Sequence, residues 1–87
     1  MYDIHFTRQA EKQLRTLEKA DRQAAARVTI AIVGLAENPR PPKCIKLKDR
    51  PGWRIRVGIY RILYEIDDTD ITIDVFRISS RGSAYKD

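Results

Sequence analysis

The chain has 87 residues, of which 43% are hydrophobic and 33% are charged. This length allows one hydrophobic core and excludes a second domain, and the composition excludes a disordered chain. The longest apolar stretch, residues 30–36, is far shorter than the roughly 20 residues that span a bilayer. The N-terminus lacks the features of a secretory signal and the single cysteine has no partner, so we expect a cytoplasmic protein without a membrane segment.

Positive charge is concentrated in one part of the chain. The whole chain carries a net charge of +5, whereas residues 43–61 alone carry seven bases and one acid. Such a segment favours a polyanionic partner through counterion release, although the charge of many basic proteins serves only solubility. The seven bases are Lys43, Lys46, Lys48, Arg50, Arg54, Arg56 and Arg61.

The first part of the chain predicts a strand followed by a helix. Apolar and polar residues alternate over residues 2–6, which is typical of a short strand. Thr7 is a suitable N-cap for a helix over residues 8–19. The apolar positions of that helix fall on one stripe, which consists of Ala10, Leu14 and Leu17.

A second helix is predicted directly after the first. Asp21 is its N-cap, and apolar residues then recur at core-facing spacing as far as Leu35. Pro39 and the pair Pro41 and Pro42 end the helix, because proline lacks an amide donor and restricts its predecessor. The two helices are therefore expected to form a hairpin.

Beyond the prolines the hydrophobic period changes from helical spacing to two. Strands are predicted over residues 44–48, 53–57, 60–67 and 71–79. Residues 49–52, Gly58 and residues 67–70 supply the turns, and connections this short imply an antiparallel sheet. The expected fold is a single α+β domain over residues 1–87, in which the helical hairpin covers one face of the sheet and the other face stays partly open.

The alternation of the third predicted strand places arginines on one face. Arg54 and Arg56 point the same way, about 6.6 to 6.8 Å apart at two strand rises. A suitable register with the next strand would add Arg61 and form a cluster whose planar guanidinium groups bind phosphate well. A solvated face, with these arginines matched against Glu65 and Asp74, explains the same pattern equally well.

Several segments together resemble the RelE/ParE toxin superfamily. They are Lys46-Leu47-Lys48, the run from Trp53 to Gly58, the run from Tyr60 to Ile66, and Arg77 to Arg81 with Tyr85. The resemblance implies a toxin that a cognate antitoxin neutralises. RelE-like members cut mRNA in the A site of the 70S ribosome without metal or another cofactor, through attack of the 2′-hydroxyl on the adjacent phosphate.

The resemblance also implies which residues act on RNA. The positions that match the basic and aromatic catalytic places of the family are Arg54, Arg56, Arg61, Arg81 and Tyr85. Arg61 and Arg81 are assigned to the transition-state phosphate, Arg54 and Arg56 to orientation and charge neutralisation, and Tyr85 to base stacking or proton transfer. The remaining bases of the segment are assigned to RNA binding, namely Lys43, Lys46, Lys48 and Arg50.

Two departures from the family pattern concern the proton acceptor. RelE itself has lysines where this chain has Arg54 and Arg56, and arginine is a poor general base. Many relatives have a histidine where this chain has Ser80. Either turnover is slow, or another side chain accepts the proton, the candidates being Lys46, Lys48, Glu65 and Tyr85.

Two other functions are compatible with the resemblance. A ParE-like inhibitor of DNA gyrase has the same fold, but it acts by binding and does not need the arginine and tyrosine set. A catalytically weak toxin would act mainly with its antitoxin as a co-repressor, and would contact operator DNA only through that partner.

The other conspicuous side chains favour structural roles. His5 stands alone on the first strand, Cys44 lacks a nearby histidine, and Trp53 alternates with core positions. Residues 67–70 lack the glycine and distal glutamate of a calcium-binding loop, so we interpret them as a turn.

Overall fold

The structure is a computed structural model, and it describes residues 1–80. Every predicted helix and strand is present within this range, and the α+β prediction is confirmed. The elements are β1 (Asp3–Phe6), α1 (Arg8–Ala20), α2 (Arg22–Leu35), β2 (Ile45–Lys46), β3 (Trp53–Val57), β4 (Tyr60–Asp67) and β5 (Thr72–Ser80).

Both helices begin at the predicted N-caps. The Thr7 hydroxyl accepts a hydrogen bond from the backbone N–H of Ala10 at 3.2 Å. The Asp21 carboxylate accepts one from the N–H of Ala24 at 3.1 Å, and the N–H of Asp21 donates to the carbonyl of Leu17 at 2.7 Å. Asp21 thus ends α1 and starts α2, which explains why one residue is enough to join the two helices.

The sheet has five strands in the order β1-β5-β4-β3-β2. Strands β2 to β5 pair antiparallel with one another, as predicted. Strand β1 lies beside β5 and runs parallel to it. A parallel partner needs a long crossover connection, and here the two helices and three strands between β1 and β5 provide it.

Several predicted strand boundaries were wrong: β1 begins at Asp3 and not at residue 2, and β5 ends at Ser80 and not at residue 79. Strand β2 covers only Ile45–Lys46, whereas residues 44–48 were predicted, because the chain bends over residues 48–51. Strand β5 begins at Thr72, one residue later than predicted. Ile71 has a φ of 56°, a left-handed conformation that belongs to the turn.

One face of the sheet packs against the helices and forms the core. The buried apolar side chains are Ala10, Leu17, Ala24, Ala25, Val28, Ile32, Leu35, Ile55, Ile62, Tyr64, Ile73, Val75 and Ile78. Alternate residues of β3 and β4 therefore point away from the helices. Neither helix in residues 1–80 is long and apolar enough to cross a membrane.

Candidate nucleic-acid interface

The sheet face that points away from the helices, here called the outer face, carries arginines in two adjacent rows. Arg56 of β3 pairs with Arg61 of β4, which pairs with Ser79 of β5. We call these three residues the turn row, because they lie next to the turn between β3 and β4. The next row on the same face, the middle row, consists of Arg54, Leu63 and Arg77.

The register brings the predicted arginines together. Directly paired residues of antiparallel strands have Cα atoms about 4.5–5.5 Å apart, and the two rows are separated by about 6.6 to 6.8 Å along the strands. Arg54, Arg56 and Arg61 therefore occupy neighbouring positions of one surface. This arrangement suits an extended polyanion, because each row can meet a different phosphate of one strand.

Arg77 was not among the predicted site residues, although it completes the middle row. Simple alternation from the buried Ile73 and Val75 would direct Arg77 towards the helices. The register shifts after Leu63, which pairs with Arg77 while Tyr64 pairs with Val75, so Phe76 is an extra residue. This β-bulge turns Arg77 to the outer face. The sequence contains a signal for the bulge, because Arg77 stands at a position where the alternation of β5 would place a core residue.

The turn row places two positively charged side chains opposite each other. Arg56 and Arg61 are directly opposed, and like charges at opposed positions destabilise a sheet. Arg61 is only 8% exposed, whereas Arg56 is exposed and forms no ion pair within residues 1–80. An anion bound at this row would relieve the repulsion.

A tight turn shapes the end of the turn row. Val57 pairs with Tyr60, so Gly58 and Ile59 alone connect β3 to β4, and Gly58 has a φ of 61°. Glycine adopts this conformation without strain. Beside the turn lies a small cavity of about 70 Å³, lined by Arg56, Gly58, Ile59 and Arg61. The two opposed guanidinium side chains therefore border one small recess.

The predicted RNA-binding residues do not all lie on the outer face. Lys46 pairs with Trp53, and its ammonium nitrogen lies 6.0 Å from the centre of the Trp53 ring, on the face opposite Arg54. Lys43 and Lys48 are exposed in the connections on either side of β2. Arg50 reaches the outer face, where it contacts Phe76 and Glu65. Arg81 and Tyr85 lie outside the residues that the structure describes.

Within residues 1–80, the two arginine rows contain no carboxylate and no imidazole. Glu65 is on the outer face but four residues from Arg61 along β4, about 13 Å at the usual strand rise. Ser80 pairs with Tyr60, on the side of the sheet that faces the helices. Of the four candidates for the proton acceptor, Lys46 lies on the face opposite the arginine rows, and Lys48 is exposed in the connection after β2. Glu65 is distant from Arg61, and Tyr85 is outside the described range.

The side chains that were interpreted as structural occupy structural positions. His5 is exposed and lies beside Asp74 in the parallel ladder. Trp53 and Cys44 are half-buried against the core. The Asp67 carboxylate accepts hydrogen bonds from the N–H groups of Thr69 and Asp70, both at 2.9 Å, which fixes the predicted turn. No group of three metal-ligating side chains occurs in the part of the chain that the structure describes.

The chain is similar to toxins of toxin–antitoxin systems. Residues 4–85 match the family described as the ParE toxin of the type II toxin–antitoxin system parDE. Toxin RelG of Mycobacterium tuberculosis is 33% identical over 86 residues, which cover 98% of this chain and 97% of RelG.

Solved structures show the same relationship. The toxin–antitoxin complex RelBE2 of Mycobacterium tuberculosis contains a chain that is 28% identical, with a TM-score of 0.78 and coverage of 92% of this chain and 98% of that one. A chain of the intact Escherichia coli RelBE complex has a TM-score of 0.79 at 23% identity, with coverage of 92% and 96%, a likeness of fold alone.

Proposed function

The chain belongs to the RelE/ParE superfamily of type II toxins, and on this premise we propose that it is a ribosome-dependent endoribonuclease. It cuts mRNA in the A site of the 70S ribosome and so inhibits translation in the cytoplasm. The observation that supports this proposal best is the pairing of Arg56 with Arg61 in the turn row, beside Arg54 and Arg77 of the middle row. A cluster of opposed arginines is costly for the fold and useful for binding phosphate.

The proposed reaction uses the 2′-hydroxyl of the substrate as the nucleophile. Its oxygen forms a bond to the adjacent phosphorus, the bond from phosphorus to the 5′-oxygen breaks, and the products are a 2′,3′-cyclic phosphate and a 5′-hydroxyl. One proton leaves the 2′-oxygen and another is delivered to the 5′-oxygen. The protein must hold the attacking oxygen in line and stabilise the extra negative charge of the transition state.

The arginine rows are suited to the second of these tasks. We assign Arg61 and Arg81 to the scissile phosphate, and Arg54 and Arg56 to orientation of the chain and neutralisation of its charge. Guanidinium groups stay protonated at every physiological pH and can donate two hydrogen bonds to one phosphate. They do not serve as the general base, and Tyr85 is our candidate for proton transfer or base stacking.

The bases outside the two rows would bind flanking RNA. Lys43, Lys48 and Arg50 are exposed on connections beside the sheet and can follow a phosphate chain that leaves the arginine rows. Lys46 was assigned to the same task from the sequence, but its position over Trp53 requires RNA to pass around the β2 edge to reach it.

A cognate antitoxin is the proposed protein partner. The structural neighbours include toxins in complex with antitoxins, which supports such a partner here. An acidic antitoxin segment that covers the arginine rows would block RNA and relieve the repulsion between Arg56 and Arg61 in one step. Contact with operator DNA would be made by the antitoxin.

Inhibition of DNA gyrase is a second candidate function, because the matching family model is that of the ParE toxin. It predicts DNA breaks with intact transcripts. The arginine rows weigh against it, since a toxin that acts only by binding does not need opposed arginines around one recess.

Expression of the chain without an antitoxin, followed by mapping of transcript ends, tests the proposal. We expect cuts in ribosome-bound messages in phase with codons, and we expect Arg61→Ala and Arg81→Ala to relieve toxicity. Arg27→Ala, which removes an exposed arginine of α2, is the matched control and should stay toxic. Because Arg61 is buried, thermal unfolding of its variant is measured in parallel. Intact transcripts, or toxicity equal in all variants, would contradict the proposal.

A further inference from the structure

A second cluster lies on the outer face, beyond the middle row. The guanidinium carbon of Arg50 lies 3.9 Å from the centre of the Phe76 ring, and its Nη2 lies 3.4 Å from Oε2 of Glu65. At such a short distance from the ring, the guanidinium plane stacks on Phe76. We call these three residues the Arg50 stack.

The position of the Arg50 stack is fixed by the fold on both sides. The bulge in β5 inserts Phe76, and the turn before β3 carries Arg50 over the ring. Gly52 in that turn has a φ of 128°, and a Cβ there would lie 2.8 Å from the carbonyl oxygen of Tyr64 and 3.3 Å from the Phe76 ring. Only glycine allows this turn to lie so close to β4 and to the Phe76 ring, and this close approach holds Arg50 over the ring.

The Arg50 stack leaves two groups accessible to a ligand. The Arg50 side chain is 54% exposed, so the side of its guanidinium plane that does not contact Phe76 is open to a flat group. The Glu65 side chain is 45% exposed, and its hydrogen bond to Arg50 is long, so the carboxylate can accept further N–H donors. Unpaired bases of RNA stack on guanidinium planes and present donors along their edges.

The chemistry of the Arg50 stack discriminates among bases. The Watson–Crick edge of guanine has adjacent N1–H and N2–H donors, which match the two oxygens of one carboxylate. The edge of uracil has one N–H between two carbonyl oxygens, and both oxygens repel a carboxylate. Cytosine and adenine each offer one amino group beside an acceptor.

From this geometry we propose that Arg50, Phe76 and Glu65 form a nucleobase subsite that stacks one unpaired base of the bound RNA and favours guanine. Glu65 lies on the same strand face as Arg61, about 13 Å away at four strand rises. A single strand whose phosphate lies at the turn row can therefore place a base near the Arg50 stack without leaving the outer face. The subsite rests on the proposed function and adds base preference to it.

The test uses purified protein and ribosomes programmed with messages whose A-site codon carries guanine or uracil at each of its three positions in turn. We expect the message with guanine at one of these positions to be cleaved about tenfold faster than the message with uracil there, the effect of one bidentate hydrogen-bonded contact to a base. Glu65→Gln should reduce that ratio to less than about threefold, since the amide keeps one acceptor and opposes the second N–H with a donor. Glu18→Gln, the same change on the exposed surface of α1, should leave the ratio unchanged.

The possible outcomes separate the subsite from the proposed function. Cleavage without a preference for guanine, or a preference that Glu65→Gln leaves unchanged, would overturn the subsite and leave the nuclease intact. Absence of cleavage of every message by the unaltered protein would overturn both. Phe76→Leu supplies a second arm, in which loss of the stacking surface should slow cleavage of the guanine message more than that of the uracil message.

Discussion

The two ends of the sheet handle charge in opposite ways. At the turn between β4 and β5, Asp68 accepts hydrogen bonds from the hydroxyl of Tyr2 at 2.7 Å and from Nη2 of Arg40 at 2.9 Å, and Arg40 also lies 5.4 Å from the centre of the Trp53 ring. At the other end, the turn row sets Arg56 against Arg61. The first group pairs opposite charges, whereas the turn row sets two positive charges directly opposite each other.

The difference separates a part of the molecule that maintains the fold from a part that is suited to a ligand. Asp68, Tyr2 and Arg40, here called the Asp68 group, join the beginning of β1, the connection after α2 and the turn before β5. The hydrogen bonds from Arg40 and Tyr2 lower the pKa of Asp68, and the hydrogen bond to Asp68 raises the pKa of Tyr2. The turn row instead sets like charges at opposed positions, an arrangement that is unfavourable in a sheet by itself and that suits a bound phosphate.

The largest effect is expected from Arg56→Ala. It should lower the cleavage rate on programmed ribosomes by about a hundredfold, because loss of a residue that orients the RNA chain lets the attacking oxygen move out of line with the scissile bond. The urea midpoint should not fall, because the Arg56 side chain is exposed. Arg27→Ala on α2 is the control for loss of one positive charge. A cleavage rate within about twofold of the unaltered protein would remove Arg56 from the mechanism.

Tyr64→Phe should lower the stability of the fold and leave the cleavage rate unchanged, the opposite of the result expected for Arg56→Ala. The Tyr64 hydroxyl is buried and donates to the carbonyl of Pro39 at 2.7 Å. Its removal leaves that carbonyl without this donor and should lower the free energy of unfolding by about 1–3 kcal/mol. Cleavage per folded molecule should not change. Tyr2→Phe removes a more accessible hydroxyl and should lower the free energy of unfolding less. An equal loss in both variants would show that burial of the Tyr64 hydroxyl does not determine the size of the effect.

Asp68→Asn should remove the contribution of this carboxyl group to the pH dependence of the free energy of unfolding. The pKa of Asp68 in the folded protein is below its ordinary value of 3.8, so the carboxylate stabilises the fold above that pH. This stabilisation is lost as pH falls through the lower folded pKa. Urea midpoints of the two proteins should therefore differ at neutral pH and converge in strong acid. A difference that persists in acid would show that charge is not its cause.

The smallest effect is expected from Arg56→Thr, measured by urea unfolding of the free protein. Removal of the like charge opposite Arg61 should raise the free energy of unfolding by about 0.2–1 kcal/mol, and threonine suits an exposed strand position. The gain should disappear when inorganic phosphate is added, because phosphate relieves the repulsion only in the unaltered protein. A loss of stability without phosphate would show that packing of the arginine stem outweighs the repulsion.

The parts of the fold that depend on local chemistry were predictable from the sequence. Thr7 and Asp21 identify helix starts because a side-chain oxygen three residues before a free N–H is a local arrangement. The grouping of Arg54 and Arg56 follows from the alternation of a strand, and Arg61 follows from the two-residue turn that fixes the register.

The parts that depend on distant pairing were not predictable. The bulge at Phe76 arises from the match between β4 and β5, and it alone moves Arg77 to the outer face. The parallel pairing of β1 with β5 joins residues about seventy positions apart. Lys46 was grouped with the RNA-binding residues by its place in a basic segment, but strand pairing directs it to the Trp53 face. The roles of Arg81 and Tyr85 stay predictions.

Cleavage of a message with a single 2′-deoxy nucleotide tests the central claim most directly. The unaltered protein is incubated with ribosomes programmed with an all-ribose message and with the same message lacking only the 2′-hydroxyl before the cut. We expect a 2′,3′-cyclic phosphate end from the first and no cut at that linkage in the second. Equal cleavage of both messages would contradict attack by the 2′-hydroxyl at the arginine rows.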